Sequence, residues 1–196
     1  MVHPLVQAAH SPHDAGVRQV AALSARLAYA LMCATLSWGV FVSTGWTHRL
    51  SGRQATRSSH MVLATLCLAF ATIHVLSFLY LTDVAFTPIS LFVPFDDGLL
   101  RHTAGIVGFE AMIAVAVSVA FQRFFRYRNW LNLHRIAYPA VALLVIHSLF
   151  GAIANGHLEI VWLGGITLLA PTVVLAALRF VPARTLTEIG LVEEDA

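Results

Sequence analysis

Charged residues are scarce in this chain. Of its 196 residues only 11% are charged and 58% are hydrophobic, whereas a soluble domain of this length needs far more charged surface. Lysine is absent, so all 12 residues counted as lysine or arginine are arginines. The net charge of +2 is too small to indicate binding to nucleic acid. The composition therefore predicts an integral membrane protein whose main surrounding is the lipid bilayer.

Cysteines and export signals are also sparse. The chain has two cysteines, Cys33 and Cys67, and both lie in apolar stretches. This position is typical of small buried side chains rather than of a disulfide or a redox pair. The N-terminus lacks a basic start followed by an apolar run, which argues against a cleavable signal peptide. We therefore expect the first apolar segment to act as an uncleaved membrane signal.

Long apolar stretches make up most of the chain. Each contains about 20 or more mostly apolar residues, enough for a helix to cross roughly 30 Å of hydrocarbon. They cover approximately residues 27–46, 59–81, 102–124, 130–151 and 160–180. The predicted fold is an all-α integral membrane bundle of five transmembrane helices.

Three regions follow from this arrangement. Residues 1–26 are predicted to be an extracytoplasmic N-terminal tail, and residues 1–19 are polar enough to suggest that they lack fixed structure. Residues 27–180 form the membrane domain. Residues 181–196 form a short cytoplasmic tail.

Arginines predict the orientation of the bundle. The segments after spans one, three and five lie on the same side of the membrane and hold most of the arginines. The other side has only Arg18, Arg26 and Arg101, together with several aspartates. Those three segments contain Arg49, Arg53, Arg57, Arg123, Arg126, Arg128, Arg179 and Arg184. Because arginine-rich loops stay in the cytoplasm, we expect a multi-pass protein of the cell membrane with its N-terminus outside and its C-terminus inside.

Four histidines lie inside two of the predicted spans. His60 and His74 belong to the second span, and His134 and His147 belong to the fourth. A polar ring in lipid is costly without a partner, so an intramembrane histidine indicates a functional site. The two spans run in the same direction, and the histidines of each span are about 20 Å apart along its helix. His60 and His134 therefore lie together near the cytoplasmic side, and His74 and His147 near the outer side.

Each depth can present one imidazole from each helix to a single iron, and histidine is a standard axial ligand of haem. On an ideal helix, His60 and His74 lie within about 40° of the same face, but His134 and His147 differ by about 140°. We expect Pro139 to cause a kink or a local change of winding that brings His134 and His147 to the same face. The sequence thus predicts haem iron at two depths between helices two and four.

The same histidines carry a resemblance to a known family. The spacing His60-x13-His74, followed by His134-x12-His147, resembles that of the ferric-reductase-like transmembrane domain. This domain is shared by iron reductases, NADPH oxidases and the membrane haem partner of periplasmic methionine sulfoxide reductase. In the family the two histidine pairs bind two b-type haems.

Two further segments support the resemblance. NWLNLHRIAY, at residues 129–138, is similar to the beginning of the family's second haem helix. LFVPF, at residues 91–95, is similar to a run in bacterial members. The resemblance covers approximately residues 27–180.

The resemblance implies transmembrane electron transfer through two b-type haems. The donor would be a separate cytoplasmic flavoprotein or a membrane quinol, and the extracytoplasmic acceptor would be ferric iron, oxygen or a partner reductase. The flavin and NADPH domains of fused oxidases are not expected, since the sequence ends about sixteen residues after its last span. The protein would then be the haem-containing membrane subunit of an oxidoreductase, and binding of a flavin or a quinone stays open.

Four other residues are candidates for supporting roles. Arg135 could pair with a haem propionate, because an arginine fork matches a carboxylate, or it could be an interface arginine. Glu110 could relay a proton, tune the outer haem or pair with a neighbour, or it could be a protonated, hydrogen-bonded acid. Arg101 and His102 could guide an anionic acceptor, contact a propionate or be ordinary interface residues.

Two other functions are compatible with the sequence. In a metal-ion transporter, the histidines would bind the ion as it crosses the membrane. Such a transporter would also need carboxylates along the route of the ion, and Glu110 is the one candidate. A non-catalytic membrane subunit of a larger complex would tolerate substitution of all four histidines.

Overall fold

Helices account for most of the described residues. The computed structural model describes residues 11–47, 51–82, 84, 86–96, 98–156 and 158–188, and these residues contain no β-strand. The helices are α1 (Pro12–Thr44), α2 (Arg53–Ser77), α3 (Pro88–Phe92), α4 (Leu100–Ala120), α5 (Tyr127–His134), α6 (Ala137–Ala154), α7 (Leu158–Leu178) and α8 (Ala183–Glu188). Short 3-10 turns follow α2 at Phe78–Tyr80 and α4 at Gln122–Phe124. The predicted all-α class is confirmed.

Four helical stretches of the described residues are long and apolar enough to cross a bilayer. They are α1, Arg53–Tyr80, α4 and Tyr127–Ala154. The chain is therefore a multi-pass membrane protein, as predicted. Helix α7 has 21 residues, and its part Gly165–Leu178 is a shorter apolar helix. A fifth membrane span stays a prediction.

Helix α1 begins well before the first predicted span. It starts at Pro12 rather than near residue 27. The Ser11 hydroxyl accepts a hydrogen bond from the Asp14 backbone N–H at 3.1 Å, and proline suits the first helical position because its missing N–H has no intrahelical partner there. The expectation of an unstructured tail is therefore wrong for residues 12–19, while residues 1–10 lie outside the described part.

The predicted fourth span is interrupted between α5 and α6. Two hydrogen bonds there join residues three apart rather than four, from Ile136 N to Leu133 O at 3.0 Å and from Tyr138 N to Arg135 O at 3.1 Å. Pro139 follows Arg135 by four residues. In a regular helix the N–H of residue 139 would donate to the carbonyl of Arg135. Proline has no N–H, and its ring crowds that carbonyl. The change of winding that we expected near Pro139 is therefore present.

The chain forms two compact units. One comprises Met1–Ala28 and Leu68–Gly151, and the other comprises Tyr29–Cys67 and Ala152–Ala196. His74, His134 and His147 belong to the first unit, and His60 belongs to the second.

Polar contacts hold α7 to α1 in the second unit. The Tyr29 hydroxyl donates to the carbonyl of Gly165 at 3.4 Å, and the Thr172 hydroxyl donates to the carbonyl of Cys33 at 3.3 Å. Cys33 and Cys67 are both buried, as their apolar surroundings predicted.

Candidate functional site

His74 and His147 come together in the first unit. His74 lies on α2 and His147 on α6, and their ring centroids are 6.3 Å apart with 67° between the ring planes. A metal–imidazole bond is about 2 Å long and the bonding nitrogen lies about 1 Å from its ring centre, so two imidazoles across one ion have centroids about 6 Å apart. The observed separation fits a single metal ion between the two rings.

Backbone carbonyls orient both of these rings. His74 Nδ1 lies 2.9 Å from the carbonyl oxygen of Ala21 on α1, and His147 Nδ1 lies 2.7 Å from that of Arg101 on α4. A carbonyl can only accept, so each Nδ1 carries the proton and donates it, which leaves the lone pair on Nε2. Metal-binding histidines are typically held in this way through their second nitrogen. Both rings thus have the tautomer in which Nε2 can bind a metal.

His60 has the same kind of support in the second unit. Its Nδ1 lies 3.1 Å from the carbonyl oxygen of Thr35 on α1. Gly39 lies one turn farther along α1, and a Cβ added there would be 3.3 Å from Cε1 of the His60 ring. Helix α1 therefore approaches the ring closely and accepts its proton through a peptide group.

His134 ends helix α5 in the first unit. Its ring stacks on that of Trp130, with 5.3 Å between the centroids and 28° between the planes. His134 is half-buried. The pairing of His60 with His134 stays a prediction.

The other predicted site residues take up different positions. Arg101 contributes its peptide carbonyl to His147, and its Nε donates to Nε2 of His102 at 3.2 Å. Arg135 is exposed just after α5, where its guanidinium donates to the Asn132 side chain at 3.3 Å. Glu110 is exposed on α4. The propionate, acceptor and proton roles of these side chains stay predictions.

The ligand set at His74 and His147 fits a haem. Across the described ranges, no three side chains of His, Cys, Asp or Glu cluster as a metal-binding group, so His74 and His147 stand as a pair. A haem iron takes four nitrogens from its porphyrin and needs one or two axial ligands from the protein. Two imidazoles whose Nδ1 atoms are held by carbonyls, so that Nε2 can bind a metal, are suited to that number.

A buried carboxylate ties α1 to the segment after α2. The Asp14 side chain is 2% exposed, and it accepts hydrogen bonds from the Thr82 N–H at 2.9 Å and from the Thr82 hydroxyl at 2.8 Å. Asp14 lies about two turns before Ala21 on α1, whose carbonyl holds His74. The contact therefore fixes the register of α1 against α2 beside the histidine pair. Sequence reasoning did not identify Asp14 or Thr82.

Comparison with known proteins identifies the family. The family model described as ferric reductase like transmembrane component matches residues 24–145. This range includes His60, His74 and His134 and stops just before His147. Searches among curated proteins and among solved structures found no match. Since the family match covers more than half of the chain, the protein belongs to the ferric-reductase-like transmembrane family.

Proposed function

We propose that this protein carries electrons across a membrane through two b-type haems, each held by a pair of histidines. The observation that carries the proposal is the outer pair, in which His74 and His147 have centroids 6.3 Å apart. Both rings have Nδ1 engaged by a carbonyl, which leaves Nε2 for a metal. Membership of the ferric-reductase-like family supports redox transfer as the use of such a site.

The residues of the chain bind and orient in this proposal. His74 and His147 would hold the outer haem, and His60 and His134 would hold the inner one. The carbonyls of Ala21, Arg101 and Thr35 keep the ligand protons on Nδ1. A bound haem supplies an iron that changes oxidation state by one electron, with a potential set by its ligands and burial.

The direction of transfer rests on the membrane orientation. The arginine-rich segments support an N-terminus outside and a C-terminus in the cytoplasm of the cell, with five spans. Electrons would then enter on the cytoplasmic side, where His60 and His134 would hold one haem, from a separate flavoprotein or a membrane quinol. They would leave outside, on the side of His74 and His147, to ferric iron, oxygen or a partner reductase. Arg135 would bind a propionate on the cytoplasmic side, and Arg101 and His102 would contact the acceptor or a propionate on the outer side.

Replacement of the outer ligands tests the proposal. The wild-type chain and the variants His74→Ala and His147→Ala are expressed with an ample haem supply and purified in detergent. We expect the wild type to show the absorption of bis-histidine haem, and each variant to lose the same fraction of it, because either change removes one axial ligand of one iron. Haem content per chain and a redox titration provide the measurement.

A matched histidine serves as the control. His13 is largely exposed in the first turn of α1, with 59% of its side chain accessible, and His13→Ala should keep the full haem content. A wild-type protein that binds no haem under these conditions would overturn the proposal. So would variants that keep the wild-type spectrum and titration.

A further inference from the structure

Helix α4 approaches the His147 ring at a glycine. A Cβ added at Gly105 would lie 2.6 Å from Nδ1, 2.8 Å from Cε1 and 3.0 Å from Cγ of His147. Non-bonded carbon atoms in a packed interior are separated by about 3.5–4.0 Å. Any side chain at this position must therefore displace either the ring or the helix.

The ring cannot move away without losing its anchor. His147 Nδ1 donates to the Arg101 carbonyl at 2.7 Å, and Arg101 lies one turn before Gly105 on the same helix. Residues four apart face the same side of a helix. The bare backbone at Gly105 thus allows α4 to come close enough for the Arg101 carbonyl to reach the imidazole.

A second glycine shows what ordinary packing of the same helices requires. A Cβ added at Gly108 would lie 2.9 Å from Cγ of Leu144 and 3.2 Å from the carbonyl oxygen of Ala140. Gly108 therefore sets the approach of α4 to α6 at Leu144 and Ala140. The contact of Gly105 differs because it falls on the imidazole itself.

We propose that Gly105 is a positioning residue for His147. Its missing side chain lets α4 lie against the ring, which keeps Nδ1 on the Arg101 carbonyl and directs Nε2 towards His74. The role in haem binding rests on the proposed function, whereas the coupling between Gly105 and the ring rests on the contact alone. The two parts can therefore be tested separately.

The first test compares glycine variants in the haem-loaded protein. Gly105→Ala should lose the outer haem, or shift its midpoint potential and its low-spin ferric resonance signal, with the inner haem unchanged. Gly108→Ala should lower the thermal unfolding midpoint and leave both haem signals in place. Gly16→Ala, on α1, should keep both haem signals and should not lower the unfolding midpoint, because an added Cβ there meets no atom within 4 Å.

The second test needs no haem and uses a double-mutant cycle, which isolates the interaction between two positions. Gly105→Ala is made in the wild-type chain and in His147→Ala, and thermal unfolding is followed in detergent. We expect Gly105→Ala to lower the unfolding midpoint, or to prevent folding, in the wild-type chain. In the His147→Ala chain it should no longer lower the midpoint, because the ring that it strikes is absent.

The outcomes separate the two proposals. Equal destabilisation in both backgrounds, or wild-type haem signals in Gly105→Ala, would overturn the positioning role and leave the proposed function standing. A wild-type chain without haem, together with a strong coupling in the cycle, would overturn the proposed function and support the positioning of His147 by Gly105.

Discussion

Peptide groups, rather than side chains, orient His74 and His147. The carbonyls of Ala21 and Arg101 accept the Nδ1 protons of His74 and His147. A carboxylate could do the same, but an ionised group is costly in hydrocarbon. A peptide carbonyl has the needed lone pair without the charge. At the scale of single residues, the two rings are therefore held by uncharged acceptors.

The Asp14 contact allows a prediction at this scale. Asp14→Ala removes both hydrogen bonds to Thr82, while Thr82→Val removes only the one from the hydroxyl. Because the loss of bonds to a charged group is destabilising, we expect Asp14→Ala to lower the thermal unfolding midpoint by a few degrees and Thr82→Val to lower it less. Unfolding in detergent, followed by circular dichroism, provides the measurement. An unchanged midpoint for Asp14→Ala would contradict the tethering role.

The sequence could predict some of these residues and not others. The four histidines stand out because an imidazole in an apolar stretch needs a reason to be there. The carbonyls of Ala21 and Arg101 have no such signature, since every residue has a carbonyl and only the approach of two helices selects one. Gly105 has the same difficulty, because its contact depends on where the His147 ring lies.

The break between α5 and α6 is the main departure from regular geometry at the scale of elements. An uninterrupted helix would leave His134 and His147 about 140° out of phase. The three-residue hydrogen bonds at Ile136 and Tyr138 tighten the winding between them. Pro139 explains the position of the break, which was predictable from sequence because proline removes a donor and crowds the preceding turn.

Replacing this proline should affect the haems. Pro139→Ala allows α5 and α6 to join as one regular helix, which rotates His134 relative to His147. We expect the variant to lose haem content while it remains folded in detergent. Pro171→Ala is the matched control, since Pro171 lies inside α7, which carries none of the four histidines. Full haem content in Pro139→Ala would show that the break is not required for ligand alignment.

The beginning of α1 shows where element prediction failed and why. The low hydropathy of residues 1–19 predicted an unstructured tail, yet a helix begins at Pro12. The Ser11 hydroxyl caps this helix by accepting a hydrogen bond from the Asp14 N–H. This local signal was present in the sequence. The contact of Asp14 with Thr82 was not predictable, because it joins residues 68 positions apart.

At the scale of the whole molecule, the composition correctly predicted a multi-pass membrane protein. Large apolar side chains are exposed along α2, including Met61, Val62 and Leu66. In a membrane protein such residues face lipid, and exposure of this kind needs no further explanation. The donor and the acceptor could not be predicted in the same way, because they are properties of other molecules.

The number of spans has a direct consequence for the two termini. Four spans place both termini on one side of the membrane, whereas five spans place them on opposite sides. We expect a reporter fused to the N-terminus to be external and one fused to the C-terminus to be cytoplasmic, because the arginine-rich segments stay inside. A reporter inserted after Phe124, beside Arg126 and Arg128, is the internal reference and should be cytoplasmic. Termini on the same side would contradict the five-span bundle.

The peptide anchors of the histidines also determine how they can be found by mutagenesis. Replacing the side chain of Ala21 or Arg101 leaves the carbonyl in place, so a conventional alanine scan would pass over both positions. An ester in place of the amide that follows either residue makes its carbonyl a poorer acceptor. Such backbone substitution addresses the atoms that orient the ligands.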